Sequence, residues 1–208
     1  MSAQSHSESP DELPSCPLGF GGSSPLINPR NMMPVISQSP SADQSTPLST
    51  ERVTSTIPIA DSKTSRFWEY PSPQQFYNAL RRRDKSPEAD SMDAVVFVHN
   101  YVNEVTWKKV IEWEAAAGCS SPSLKRFVGK SEEISPLARI KSLWLGKPFD
   151  RHDWFVDRCG SKQVRYVIDY YDAPSSDGLD VVIHVRPALD GLSGIYERLK
   201  GFFRHSND

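Results

Sequence analysis

Apolar positions along this chain recur at two periods, and the switch between them outlines the fold. In YPSPQQFYNALRRR (70–83), Phe76 and Leu80 fall on one helical face. Ser72 stands where an N-cap belongs, Pro73 suits the first turn, and Gln75, three residues after Ser72, completes a capping-box pattern. The apolar run AVVFV (94–98) predicts a short buried strand. Asn100 or Asn103 then caps a helix whose Trp107, Val110, Ile111 and Glu114 share a side, with Gly118 as its stop. SPLARIKSLWLG (135–146) repeats that grammar, with a Ser135 cap, a Leu137/Ile140/Trp144 face and a Gly146 stop. Beyond it the period drops to two. HDWFVD, QVRYVIDYYD and DVVIHVRP predict three strands of an antiparallel meander, joined by the CGSK link and the APSSDG loop. LDGLSGIYERLKGFFR returns to helical spacing, with Leu192, Ile195, Tyr196, Leu199, Phe202 and Phe203 on its stripe. Several helices packed on an antiparallel meander make an α+β domain.

The first 65 residues lack this patterning. They are dense in Ser, Thr and Pro, and all five Trp and all seven Tyr lie beyond them. Such a stretch buries too little apolar surface to offset its ordering entropy. The expectation is a mostly disordered region over 1–65, carrying the islands SCPLGF and NPRNMMP, and a folded domain over 66–208.

Charge and motifs then narrow the chemistry. A net charge of -2 and a pI near 6.2 argue against binding nucleic acid by bulk electrostatics. The three cysteines, Cys16, Cys119 and Cys159, have no zinc-ligand spacing and form no framework, which leaves room for one isolated disulfide. The N-terminus has neither the apolar core of a secretory signal nor the early basic residues of a transit peptide, and no apolar run spans a membrane. These features suit a cytosolic protein, or one imported into an organelle by another route. Phosphate-binding Gly-rich loops, GxSxG and HExxH are all missing from the sequence.

Two segments concentrate candidate chemistry. In VVFVHNYVNE (95–104), His99 closes an apolar run. Neutral imidazole ligates haem iron, and Glu104 or Asn100 can accept its second ring N–H. Equally, such a histidine can simply cap a strand. In PFDRHDWFVDRCG (148–160), strand alternation puts Asp150, His152, Trp154, Val156 and Arg158 on one face. Arg151, Asp153, Phe155 and Asp157 take the other. These residues suit carboxylate recognition, acid–base work or a structural ion-pair network. The aromatics Trp68, Tyr70, Phe76, Trp107, Trp113, Trp144 and Trp154 fit a flat porphyrin pocket as well as an ordinary core. Cys16-Pro17 could present a thiolate to ferric haem, or be a chance dipeptide. The final helix carries Arg198, Lys200, Arg204 and His205 beside its apolar stripe, a pattern that can lie on anionic lipid or pack on the sheet.

Taken in order, the motifs CP, NMMP, FWEYPSPQQFYNAL, HNxxNExxWxxxxxWE, SPxARIxSxxLG, PFDRHDW, RC, VRYVIDYYD and VRPALD resemble the holocytochrome c-type synthases, or cytochrome c haem lyases. The resemblance runs from Cys16 to about Phe203. It implies a carbon–sulfur lyase of the mitochondrial intermembrane space, peripheral on the inner-membrane surface. Its substrates are haem and apocytochrome c, with apocytochrome c1 a further candidate. The reaction joins haem vinyl groups to the thiols of a Cys-X-X-Cys-His segment. The resemblance makes His99 the axial iron ligand and assigns activity to Glu104, His152 and Arg158. Asn100, Trp107, His152, Arg158, Cys16 and Pro17 become the haem-binding set. A haem carrier or sensor without catalysis is the alternative that the same residues allow. This chain departs from the pattern at Tyr101-Val102, where the family often has polar residues, and in its single Cys-Pro.

Overall fold

A computed structural model describes residues 27–28, 33–42, 44–60, 66–82, 85–130, 138–139, 142, 146–172, 181–190, 194 and 198. Two short strands, β1 (Ile27–Asn28) and β2 (Met33–Pro34), pair with each other. Next, β3 (Thr54–Pro58) pairs antiparallel with β4 (Phe67–Glu69). The helix α1 (Pro73–Arg81) starts as its sequence predicts. Ser72 Oγ accepts from the Gln75 backbone N–H, and the Gln75 side chain accepts from the Ser72 N–H. A 3₁₀ turn (Ala89–Ser91) leads into α2 (Met92–Ala116).

The segment 94–98 is helical, not a strand, and neither Asn100 nor Asn103 caps anything: both lie inside α2. The run of β-branched residues is a weak local preference, overridden by tertiary packing. Met92, Val96, Thr106, Trp107, Val110 and Glu114 are all buried, and their three- and four-residue spacing is that of a helix face. Ile111, expected on that face, is exposed. Gly118 ends the helix with φ +87, a conformation that glycine adopts without a Cβ clash.

The meander is present. Strands β6 (Asp150–Arg158), β7 (Lys162–Asp172) and β8 (Val181–Pro187) pair antiparallel in chain order. A fourth strand, β5 (Ser123–Gly129), joins the free side of β6 and was not legible in the sequence. A register shift between Leu124 and Arg126 hides its period, since Leu124 and Phe127 pair with the core-facing Val156 and Trp154. Trp154, Val156, Tyr166, Ile168 and Tyr170 from the sheet meet Trp107 and Val110 of α2 in the main core. Trp113 Nε1–H fastens α2 to β8 through the Val185 carbonyl at 3.0 Å.

The packed unit begins before Arg66. Ile57 of β3 is 2 % exposed within the main core, and Ala60 N–H bonds the Leu124 carbonyl. Further upstream, the buried Gln74 and Asn78 of α1 bond Gln44, Ser37 and Ser39. Polar hydrogen bonds to α1, which composition does not register, hold this Ser/Pro-rich stretch in place. Cys16, Pro17, Trp144, the APSSDG loop and most of both later helix segments lie outside the described residues, so those expectations stay as stated.

The cysteines left open by spacing form one disulfide, Cys119–Cys159, joining the end of α2 to the β6–β7 turn.

Candidate functional site

His99 sits in the middle of the N-terminal half of α2, half-buried on the edge of the helix face that packs inward. Tyr70, just after β4, and Phe76, in α1, meet its ring edge-on, with centroids 5.9 and 5.1 Å away. Both imidazole nitrogens are held from within α2. Asn100 Oδ1 lies 3.1 Å from Nδ1, and Asn103 Nδ2 lies 3.3 Å from Nε2. Asn103 Nδ2 also donates to the His99 carbonyl at 2.7 Å. A carbonyl oxygen can only accept, so the Asn103 amide must turn its NH₂ toward the imidazole. Nε2 therefore carries the lone pair, and Nδ1–H donates to Asn100.

Burial holds the His99 imidazole below its ordinary 6.5, with the Asn100 bond opposing; the charge of nearby His152 lowers it further and that of Asp150 raises it. The neutral form is thus favoured at neutral pH, which is the form that ligates metals. One neutral nitrogen, with its other N–H anchored on an amide oxygen and two aromatic rings against the imidazole, fits a single axial bond to haem iron. Val95, one turn before His99 on the same face of α2, and the adjacent Val98 are exposed apolar neighbours suited to a porphyrin or a substrate segment, whereas Phe97 and Tyr101, two positions to either side, are exposed on the opposite face of the helix.

Glu104 does not bond His99. Its carboxylate accepts from Tyr70 O–H at 2.8 Å, from the Thr56 backbone N–H at 3.1 Å and from the Thr56 hydroxyl. Burial, with the Glu104 carboxylate second, pushes the Tyr70 phenol well above its ordinary range. Tyr70 therefore stays protonated and donating. Glu104 is thus linked to His99 at one remove, through Tyr70.

His152 of β6 completes this end of the molecule. Its Nε2 lies 3.2 Å from Asp150 Oδ2, and its ring stands edge-on to Tyr170 with centroids 5.5 Å apart. The Tyr170 hydroxyl in turn meets Thr106 Oγ1 of α2 at 3.4 Å. Tyr170 thus links His152 of β6 to Thr106, seven positions along α2 from His99.

Two other expected residues lie elsewhere. Trp107 is 2 % exposed and belongs to the core, with its ring centroid 6.5 Å from that of Trp154. Arg158 is clamped by Glu114, Nε to Oε2 at 2.7 Å and Nη2 to Oε1 at 2.8 Å. Tyr166 O–H donates to the same carboxylate. Glu114 is fully buried. It stands fifteen residues along α2 from His99, about 22 Å at 1.5 Å per residue. The guanidinium is thus committed to a buried carboxylate at the far end of the helix, which takes two of its N–H donors side by side. The strand alternation expected for 150–158 does hold, since Trp154, Val156 and Arg158 all face the core.

Comparison with known proteins fixes the lineage. The model of the cytochrome c/c1 heme lyase family matches residues 21–120 and 115–202. The chain belongs to this heme lyase family. It is 47 % identical over 209 residues to the holocytochrome c-type synthase of Gallus gallus, covering 94 % of this chain and 75 % of that protein. It is 43 % identical over 213 residues to the human holocytochrome c-type synthase, covering 96 % and 78 %. With the holocytochrome-c synthase of Saccharomyces cerevisiae the identity is 38 % over 227 residues, covering 95 % and 84 %. No solved structure matches. As a heme lyase the chain is an enzyme of the lyase class, and the side chains around His99 are where its chemistry is sought.

Thr56 joins this site without having been singled out by the sequence. Tyr70 and Phe76 stood there as candidate pocket aromatics, Asp150 as a face-mate of His152 and Asn103 as a candidate cap; the role of Asn103 beside His99 becomes legible once 92–116 is read as helix.

Proposed function

We propose that this protein attaches haem covalently to cytochrome c, with His99 Nε2 as one axial ligand of the substrate haem. The observation that carries the reading is the setting of His99: its Nδ1 beside Asn100 Oδ1, its Nε2 beside the Asn103 amide, and its ring edge-on to Tyr70 and Phe76. The family match supplies the reaction, since its relatives are synthases of holocytochrome c.

The substrate segment is a Cys-X-X-Cys-His sequence of apocytochrome c, and c1 is a second candidate. Its histidine takes the opposite face of the iron, which brings the two thiols beside the vinyl groups. Holding reactants in that geometry replaces a bimolecular encounter with an intramolecular one and can remove several kcal/mol from the barrier. Each thiol adds across a vinyl C=C: the S–C bond forms, and the thiol hydrogen ends on the neighbouring carbon. Because the nucleophile belongs to the substrate, the enzyme's task is to hold and orient. Tyr70, with Glu104 and Thr56 behind it, braces the imidazole. His152, beside Asp150, supplies a titratable group at the same end, suited to a haem propionate or to a thiol proton.

The same reading places the protein in the mitochondrial intermembrane space, on the inner-membrane surface. The Cys119–Cys159 disulfide supports a non-reducing compartment. Among the described residues, no helix is long and apolar enough to cross a membrane.

Co-expression with apocytochrome c, in a host without other cytochrome c maturation machinery, tests the proposal. The expected product is cytochrome c that keeps its haem through denaturing electrophoresis. Folded enzyme that binds haem but leaves it extractable would instead mark a non-catalytic carrier.

A further inference from the structure

We propose that Asn103 is a release residue: its side-chain amide competes with haem iron for Nε2 of His99. The inference rests on the haem-attachment reading above and assigns a role to a residue inside that site.

The geometry leaves little choice of roles. Asn103 Nδ2 is pinned to the His99 carbonyl at 2.7 Å, which directs its second N–H toward Nε2 at 3.3 Å. The atom iron needs is thus the atom that Asn103 engages when iron is absent. Haem binding exchanges one long hydrogen bond for the Fe–N bond. The amide keeps its carbonyl partner, so it stays beside the imidazole. When the product leaves, Nε2 does not become an unsatisfied half-buried acceptor, because Asn103 closes on it again. The His–iron bond is weakened relative to a histidine whose lone pair has no internal partner.

The helix itself does not call for this residue. Asparagine is a poor helix former, and position 103 is deep inside the 25 residues of α2, far from either end. Its amide bridges a backbone carbonyl and an imidazole on the same helix, and a shorter side chain could serve the carbonyl alone. What it adds is the contact to Nε2. An enzyme that must hand over a covalently modified substrate benefits from such a contact, since an axial bond that is too strong traps the product. Asn103 acts through His99 and is a positioning residue.

The deciding variant is Asn103→Ser in the full chain. A serine hydroxyl can still bond the carbonyl four residues back but does not reach the ring. Two measurements apply. In the haem-free protein, the ¹⁵N resonance of His99 Nε2 should move toward that of an acceptor without a donor. In the haem complex, transfer of haem to excess apomyoglobin should slow by about five-fold, the worth of one modest neutral hydrogen bond. Release of holocytochrome c should slow in step. An unchanged Nε2 resonance, haem transfer at the wild-type rate or faster, or failure to bind haem would each overturn the proposal. His99→Ala separates this from failure of the underlying reading: if it keeps the wild-type Soret band, the ligand assignment itself falls.

Discussion

The two ends of α2 are built on opposite plans. At the Glu114 end, a fully buried carboxylate holds Arg158 with two hydrogen bonds and accepts a third from Tyr166. The Cys119–Cys159 disulfide ties the same end covalently to the sheet. At the His99 end, the key side chain is half-buried and its partners are neutral amides and aromatic edges. Val95 and Val98 stand exposed near it. A buried ion pair cannot be exchanged for water or ligand without large cost, whereas an amide–imidazole contact can. One helix is thus anchored at one end and, in the function proposed above, offers an exchangeable contact at the other.

Breaking the anchor should cost the most. Arg158→Ala leaves the Glu114 charge buried without its cation, and the expected loss is about 3–5 kcal/mol in denaturant unfolding. The fraction that stays folded should bind haem with near wild-type affinity. Lost haem binding at unchanged stability would instead make Arg158 a ligand-contacting residue. Next is the disulfide. Its cysteines are separated by 40 positions, and the double variant Cys119→Ser/Cys159→Ser should lose about 3–4 kcal/mol on the chain-entropy account. Dithiothreitol should produce the same loss in the wild type and none in the variant.

At the other end the expected effects are smaller and fall on binding. Tyr70→Phe removes the donor to Glu104 but leaves the ring and both Thr56 contacts, so stability should drop by about 1–2 kcal/mol and haem affinity by a few fold. A large stability loss with haem affinity intact would shift Glu104 and Tyr70 to the anchoring part of the fold. Acid gives the smallest effect. Since the folded His99 pKa is below 6.5, the unfolded chain takes up a proton that the folded one refuses. Stability therefore falls as pH drops from about 6.5 to the lower folded value, then levels off. Haem affinity should hold through most of that window and fall only once His99 itself protonates. Loss of haem binding already near pH 6.5 would contradict the burial-driven shift.

How much of this was legible beforehand differs between the two ends for physical reasons. The capping box at Ser72–Gln75 and the three period-two strands follow local rules, and they stand in the structure as read. His99 was legible as chemistry, but its setting was not. AVVFV has the local preferences of a strand, yet it lies inside the 25-residue helix α2, whose buried face runs from Met92 and Val96 to Val110 and Glu114. That change recasts Asn100 and Asn103 from caps to partners of an imidazole. Glu104 looked like a neighbour of His99 but reaches Thr56, 48 positions away, and Tyr70, 34 away. Arg158 stood between ligand recognition and a structural ion pair, and nothing local reveals that its partner is the buried Glu114, 44 positions away. Pairings across such distances leave no trace in spacing.

The central claim is that His99 Nε2 holds the iron of the substrate haem. Its most direct test is the Soret and resonance Raman spectrum of purified His99→Ala after haem reconstitution, beside the wild type. The account predicts that the variant folds, loses the histidine–iron signature and retains at most weak, non-stoichiometric haem. A variant with the wild-type spectrum and one haem per chain would contradict it.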